Sequence, residues 1–183
     1  MSTFTIQFPE YDIANKLKEE FSQKDNFSVA IPLSRQQKYY DLLLVNGAKN
    51  KFVTIQVKSS RTYLGREKDI FDYYSWFNRF DIKDNYSDFY FLYMTYPFFD
   101  ENGKPRAKWN TKILVFNQKE MKQILDQVKT KSGKPDLFFS FGFNQDKDSK
   151  IYGQRGFSSQ KDKDYSANLL ENRITELRTK FKG

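Results

Sequence analysis

The chain has 183 residues and a formal net charge of +8, and it contains neither cysteine nor histidine. This composition excludes zinc sites built on those ligands, Ser-His-Asp and Cys-His triads, and metal nucleases that depend on histidine. Any catalysis must therefore rely on carboxylates, amides, hydroxyls, lysine or a hard cation such as Mg²⁺ or Mn²⁺. The excess of basic residues favours an anionic partner, most simply nucleic acid.

Residues 1–183 suit a single domain, because the sequence has no internal repeat and no evident linker. No apolar segment approaches the length of a membrane span, and the first residues lack the basic and apolar regions of a signal peptide. We therefore expect no membrane association and a cytoplasmic location.

The first predicted element is a helix over about residues 9–24, with Pro9 suited to its first turn. Its apolar arc consists of Ile13, Ala14, Leu17 and Phe21. Glu10 falls in the middle of this arc, where a carboxylate needs a partner or a metal. The alternative is an exposed first turn in which Glu10 interacts favourably with the helix dipole.

The next segment predicts a three-strand antiparallel meander. The turn between its second and third strands is indicated by Asn46-Gly47. The predicted strands are residues 27–33, 40–45 and 51–59, with a polar loop at 34–38.

The rest of the chain alternates between strand and helix patterns, except for residues 60–82, which fit either a loop plus a helix or two short strands. Strands are predicted at 88–96, 112–116 and 136–143, helices at 118–129 and 166–182, a turn-rich excursion at 98–111, and a loop at 145–164. Together the elements predict an α/β fold with a central mixed β-sheet flanked by helices.

Polar side chains interrupt the second and third strands of the meander. Asp41 opens an apolar run, and Gln56 and Lys58 share one face of the returning strand because strand side chains repeat with period 2. If that face is exposed, both residues are ordinary surface residues. If it is covered, both need partners, and Asp41 across the hairpin is the natural one.

This pattern resembles the core of the PD-(D/E)XK nuclease superfamily, in which an Asp on one strand precedes an acidic-x-Lys triplet on the next. Here Asp41 is followed after fourteen residues by Gln56-Val57-Lys58. The preceding helix with Glu10 is similar to the helix that often supplies another carboxylate in this superfamily. The chain departs from the pattern at Tyr40, which replaces the motif's Pro, and at Gln56, which replaces the acidic residue by an uncharged oxygen ligand.

The resemblance implies a restriction-endonuclease-like core and a metal-dependent endonuclease that hydrolyses DNA phosphodiester bonds, of the restriction, homing, junction-resolving or repair type. It implies that Mg²⁺ or Mn²⁺ is held by Asp41, the side-chain oxygen of Gln56, the backbone carbonyl of Val57 and Glu10. Lys58 would orient the attacking water and stabilise the transition state. A homodimer is expected if the substrate is duplex DNA cut on both strands.

Basic residues near these strands are candidates for phosphate contacts, and aromatic residues that follow them are candidates for base stacking. The basic candidates are Arg35, Lys38, Arg61, Arg66 and Lys68; the aromatic ones are Tyr63, Tyr74 and Trp76. Taken singly, each basic residue is better explained as a solvated surface charge, and each aromatic one as a core residue.

Two other functions remain open. The uncharged Gln56 is compatible with a non-catalytic nucleic-acid-binding domain on a degenerate nuclease fold. A protein-interaction module, for which the basic charge is incidental, is the third alternative; DNA binding that weakens steeply with salt would argue against it.

Overall fold

The computed structural model describes residues 8–32, 39–83, 86–100, 104–146, 150–157 and 163–182, without the side chains at positions 61 and 105–108. Its described helices are α1 (Phe8–Glu20), α2 (Gln118–Gln127) and α3 (Leu170–Thr179). Its described strands are β1 (Phe27–Ala30), β2 (Leu42–Asn46), β3 (Lys51–Leu64), β4 (Tyr73–Asn78), β5 (Phe89–Phe99), β6 (Pro105–Asn117), β7 (Phe138–Phe143) and β8 (Tyr152–Gly153). The fold is therefore a mixed α/β fold, as predicted.

The long strand β3 takes part in two sheets. Its first part lies in a mixed sheet of order β1-β2-β3-β5-β6, in which β3 and β5 are parallel and the other neighbours are antiparallel. Its last residues, Thr62 to Leu64, pair with β4, which continues into β7 and β8 as a second, antiparallel sheet. The parallel connection from β3 to β5 thus passes through β4 in the second sheet.

The mixed sheet is covered on both faces. On one face α1 and α3 pack against alternate residues of the central strands, including Val53, Ile55 and Phe91. On the other face Tyr90, Leu92 and further alternate residues form a second core with β4, β7 and α2. The structure is therefore layered as helices, mixed sheet, then second sheet with α2.

Local sequence signals explain the well-defined turns and helix starts. Asn46 accepts a hydrogen bond from the Lys49 N–H at 3.1 Å and so caps the turn between β2 and β3. Asn117 and Glu120 form a capping box at the start of α2, each side chain accepting from the backbone N–H of the other. The order of the meander strands and the start of α2 consequently follow the sequence prediction, although β1 ends at Ala30 and β3 extends to Leu64.

Several predicted bounds were wrong. The described part of residues 98–111 continues the sheet rather than forming a turn-rich excursion, because β5 extends to Phe99 and β6 begins at Pro105, with a register shift between Pro97 and Phe99. The ambiguous segment 60–82 contains the end of β3 and the whole of β4. The first helix ends at Glu20, and the last helix begins at Leu170 after a short 3₁₀ turn.

Among the described helices, none combines the length and the apolar character needed to cross a membrane.

Candidate functional site

Asp41 lies immediately before β2, at the point where β2 stops pairing with β3. Its backbone N–H donates to the carbonyl of Ile55 at 2.8 Å, and Leu42 is the first residue in the ladder. From there on β3 has no β2 strand beside it. The Asp41 carboxylate therefore sits at the open end of the hairpin, where its side chain can reach the backbone of β3.

The carboxylate of Asp41 is bound by two groups of the neighbouring strand. Its Oδ2 atom accepts a hydrogen bond of 2.7 Å from the Val57 N–H and one of 3.2 Å from the Gln56 side-chain amide. The first bond continues the ladder beyond the end of β2, because a carboxylate oxygen replaces the missing backbone carbonyl. The structure thus brings Asp41, Gln56 and Val57 together, and Asp41 has a structural role that the sequence did not predict.

Gln56 and Lys58 lie on the face of the mixed sheet that is covered by the second sheet. In the parallel register Gln56 pairs with Tyr90 and Lys58 with Leu92, and both of these partners belong to the core between the two sheets. Val57 instead packs on the helix-covered face. The predicted period of 2 is therefore present, and the covered-face alternative is the one the structure supports.

Lys58 is partly buried beside Asp41. Its Nζ atom lies 5.2 Å from the centre of the Phe80 ring, which packs against the same core. Burial lowers the pKa of Lys58 below its ordinary value of 10.5, and the negative charge of Asp41 opposes part of that shift. A partly buried lysine with a lowered pKa, within reach of the charge of a carboxylate, is a candidate functional group.

Two residues that the sequence analysis missed form hydrogen bonds to segments next to the site. The hydroxyl of Ser87 donates to the carbonyl of Tyr39, two residues before Asp41. Asp88 accepts hydrogen bonds from the N–H and the hydroxyl of Thr54 at 2.8 and 2.7 Å. Ser87-Asp88 directly precedes an apolar strand, but the sequence does not indicate which strand these side chains reach.

Glu10 lies on the helix-covered side of the sheet. The arc of α1 that contains Ile13, Ala14 and Leu17 is buried against the core of Val53 and Ile55, and Glu10 is half-buried one turn earlier on that arc. Gln56 and Lys58 lie on the opposite face. Any contact between Glu10 and Asp41 must therefore pass around the edge of β3 where β2 has ended, and the place of Glu10 in the site stays a prediction.

A second carboxylate of α1 has a defined partner. Asp12 accepts a hydrogen bond of 3.0 Å from the Tyr93 hydroxyl and lies 4.0 Å from Lys16. Tyr93 pairs with Ser59, just beyond Lys58 along β3. Burial first, and the nearby Asp12 charge second, raise the pKa of the Tyr93 hydroxyl.

The predicted phosphate contacts are only partly described. Arg66 and Lys68 are exposed on the turn between β3 and β4, where the Arg66 N–H donates to Asp69 at 2.7 Å. Arg61 lies in β3 by its backbone, but its side chain is outside the described part of the structure. Arg35 and Lys38 also fall outside the described residues.

The donors at Asp41 fit a hard cation in chemical type. The carboxylate of Asp41, the amide oxygen of Gln56 and the carbonyl of Val57 are all oxygen ligands of the kind that Mg²⁺ prefers. The N–H and C=O of one strand residue point to the same edge, so the Val57 carbonyl faces the side on which Asp41 lies. The Gln56 amide, which now turns its nitrogen to Asp41, must rotate to offer its oxygen. Within the described ranges, no three acidic residues are grouped as a metal site.

Comparisons of the chain with protein-family models, with curated proteins and with solved structures find no match.

Proposed function

We propose that this protein is a metal-dependent endonuclease acting on DNA, with a core of the restriction-endonuclease-like kind. The observation that carries the proposal is the contact of the Asp41 carboxylate with Gln56 and Val57, with the Lys58 ammonium beside it. The order of α1, an antiparallel β1-β2-β3 meander and a strand parallel to β3 supports the same assignment.

Each residue has a distinct task in the proposed reaction. Asp41, Gln56 and the Val57 carbonyl would hold Mg²⁺ or Mn²⁺, with Glu10 as an additional carboxylate. The cation, when bound, lowers the pKa of water and neutralises the scissile phosphate. Lys58 orients the attacking water by hydrogen bonding and stabilises the negative charge that grows on the phosphate oxygens. Its partial burial strengthens this electrostatic effect, since fewer waters screen the ammonium.

The charge of the chain supports a DNA substrate. A net charge of +8 attracts the phosphate backbone, and binding through phosphates carries no sequence information. Exposed Arg66 and Lys68 follow β3 directly and are the described candidates for such contacts. Cutting both strands of a duplex with one site per chain requires two copies, so we propose a homodimer for that substrate and a cytoplasmic site of action.

A non-catalytic DNA-binding domain is the second candidate. It is favoured by the hydrogen bond from the Gln56 amide to Asp41, because this contact is complete without a cation. In that case Asp41 serves only to extend the ladder to Val57. The two candidates make the same prediction for DNA binding and opposite predictions for cleavage.

The deciding experiment incubates supercoiled plasmid and labelled oligonucleotides with the protein in Mg²⁺, Mn²⁺ or EDTA. Wild type is compared with Asp41→Asn and Lys58→Met, and with Asp126→Asn and Lys119→Met as controls for the same changes at exposed positions of α2. We expect metal-dependent cleavage by wild type and both controls, and none by the two site variants. Metal-independent cleavage, or cleavage by Asp41→Asn at the wild-type rate, would overturn the proposal.

DNA binding is measured in EDTA at several salt concentrations. Steeply salt-dependent binding without cleavage in any metal supports the non-catalytic domain. Absence of DNA binding at low salt rejects both candidates and favours a protein-interaction module.

A further inference from the structure

A row of exposed aromatic side chains crosses the outer face of the second sheet. Along β4 the buried residues Tyr73, Ser75 and Phe77 alternate with more accessible ones. Trp76 is 37% exposed, and Tyr63 and Phe138, on the neighbouring strands, are 58% and 37% exposed. We call Tyr63, Tyr74, Trp76 and Phe138 the aromatic row. These side chains face away from the core that β4 and β7 form with the mixed sheet.

Strand pairing fixes the order of the aromatic row. Tyr63 and Tyr74 are direct cross-strand partners, and Phe138 on β7 is the partner of Asn78. All four residues of the aromatic row line one open cavity of about 860 Å³, together with Ser59 and Ser60. Ser59 directly follows Lys58 along β3. The cavity therefore shares strand β3 with the candidate site, although the side chains of Lys58 and Ser59 point to opposite faces of that strand.

Arg155 lies between Trp76 and Phe138 and contacts both rings. Its guanidinium carbon is 5.5 Å from the Trp76 ring centre and 5.4 Å from the Phe138 ring centre. Asp136 holds the same guanidinium through two hydrogen bonds of 3.1 and 3.2 Å. Arg155 and Asp136 thus restrict the motion of both rings, so that stacking on them requires little further loss of conformational entropy.

Basic residues flank the row at both ends. Arg66 lines the same cavity as Tyr63 and Tyr74, together with Asp69, which accepts a hydrogen bond from the Arg66 N–H. At the other end Arg155 opens onto a second cavity of about 430 Å³ that is also lined by Lys129 and Lys131. Exposed rings with cations on both sides match a chain of phosphates that carries accessible base faces.

We propose that the aromatic row binds single-stranded nucleic acid by base stacking. A duplex hides its base faces in the helical stack, so only unpaired nucleotides can use exposed rings of this kind. The flanking cations contact the phosphates. The biological meaning of this inference rests on the proposed nuclease function: for a nuclease, the aromatic row identifies the substrate as DNA with an unpaired strand. The binding itself is tested without metal.

The protein offers a direct readout, because Trp76 and Trp109 are its only two tryptophans. Trp109 is 63% exposed and lies on β6, away from the row, so it is a matched control. In EDTA, Trp109→Phe leaves Trp76 as the only indole, and we expect an oligothymidine of about 12 nucleotides to quench its fluorescence, since that length falls within the usual site size. In Trp76→Phe, which leaves only Trp109, we expect little quenching.

Affinity gives the second measurement. By fluorescence anisotropy in EDTA, we expect wild type to prefer the oligothymidine over a duplex of equal length. Trp76→Ala should weaken single-strand binding by about 5- to 150-fold, as expected for the loss of one stacked base, while Trp109→Ala changes it by less than about twofold. Trp76→Phe should retain most of the affinity, which distinguishes stacking from a purely structural role.

Equal quenching of the two indoles, equal affinity for single strand and duplex, or unchanged binding by a folded Trp76→Ala protein would each overturn the proposal. Self-association that is lost in Trp76→Ala, without single-strand binding, would instead assign the row to a second copy of the chain. If stacking is observed while wild type cleaves nothing in any metal, the row stands and the nuclease proposal fails. If wild type cleaves DNA but no stacking is observed, the nuclease proposal stands and the aromatic row is rejected as a binding site.

Discussion

The Asp41 carboxylate accepts a 2.7 Å hydrogen bond from the Val57 N–H and so takes the place of a backbone carbonyl at the end of β2. The same oxygen accepts from the Gln56 amide. One side chain therefore closes the hairpin and forms the centre of the candidate site. Removing its charge and removing its hydrogen bonds have separable consequences, which two substitutions distinguish.

Asp41→Asn and Asp41→Ala should both abolish cleavage, but only the second should lower stability substantially. Asparagine retains a carbonyl oxygen for the Val57 N–H, whereas alanine leaves that partly buried donor without an acceptor, at a cost of about 1–3 kcal/mol in the free energy of unfolding. Urea denaturation of the two variants and wild type provides the measurement. Equal stability of all three proteins would show that the bond to Val57 contributes nothing.

Lys58 should make stability increase with pH. Burial places its pKa in the folded protein below the ordinary 10.5, so between the two values the unfolded chain binds more protons and the free energy of unfolding rises with pH. Lys58→Met removes this increase, and Asp41→Asn enlarges it because the opposing charge is lost. Urea denaturation between about pH 7 and 10 tests both statements, with Lys119→Met as the exposed control. If the difference between wild type and Lys58→Met does not vary with pH, Lys58 is not buried as a cation.

Much of the fold follows from local patterns. The Asn46-Gly47 turn and the apolar runs on either side predict the β2–β3 hairpin, and Asn117 with Glu120 forms a capping box at the start of α2. Two features are not local. β3 continues past Ser59 because β4 and β5 both pair with it. The turn signals within residues 98–111 are outweighed by the pairing between β5 and β6. Single-strand patterns do not report such partners.

The site was predictable to the extent that strand alternation determines it. Period 2 places Gln56 and Lys58 on one face, and the hairpin brings Asp41 alongside. Alternation does not reveal which layer covers that face. The sequence left open whether Glu10 faces inward or lies in an exposed first turn; Glu10 is half-buried, and α1 packs on the other face of the sheet. That separation depends on tertiary packing alone.

Glu10→Gln should therefore impair cleavage less than any substitution of Asp41. If Glu10 reaches the cation around the open edge of β3, its neutralisation raises the Mg²⁺ concentration needed for half-maximal cleavage while cleavage at saturating Mg²⁺ persists. Glu19→Gln makes the same change on the exposed side of α1 and should leave the requirement unchanged. Mg²⁺ titration of cleavage compares them. An identical requirement in both variants would remove Glu10 from the site.

Gln56→Glu should make the melting temperature of the protein depend on Mg²⁺. Without a cation, the new carboxylate replaces an amide that lies 3.2 Å from the Asp41 oxygen, so two like charges meet and the melting temperature falls. Mg²⁺ should reverse the loss, since a ligand at about 100 times its Kd adds about 2.7 kcal/mol to the free energy of unfolding. Gln123→Glu adds the same charge at an exposed position of α2 and serves as the control. Melting temperatures with EDTA and with increasing Mg²⁺ give the answer. If Mg²⁺ raises the melting temperature equally in the two variants, Gln56 does not face a cation, and Asp41 retains only its role in closing the hairpin.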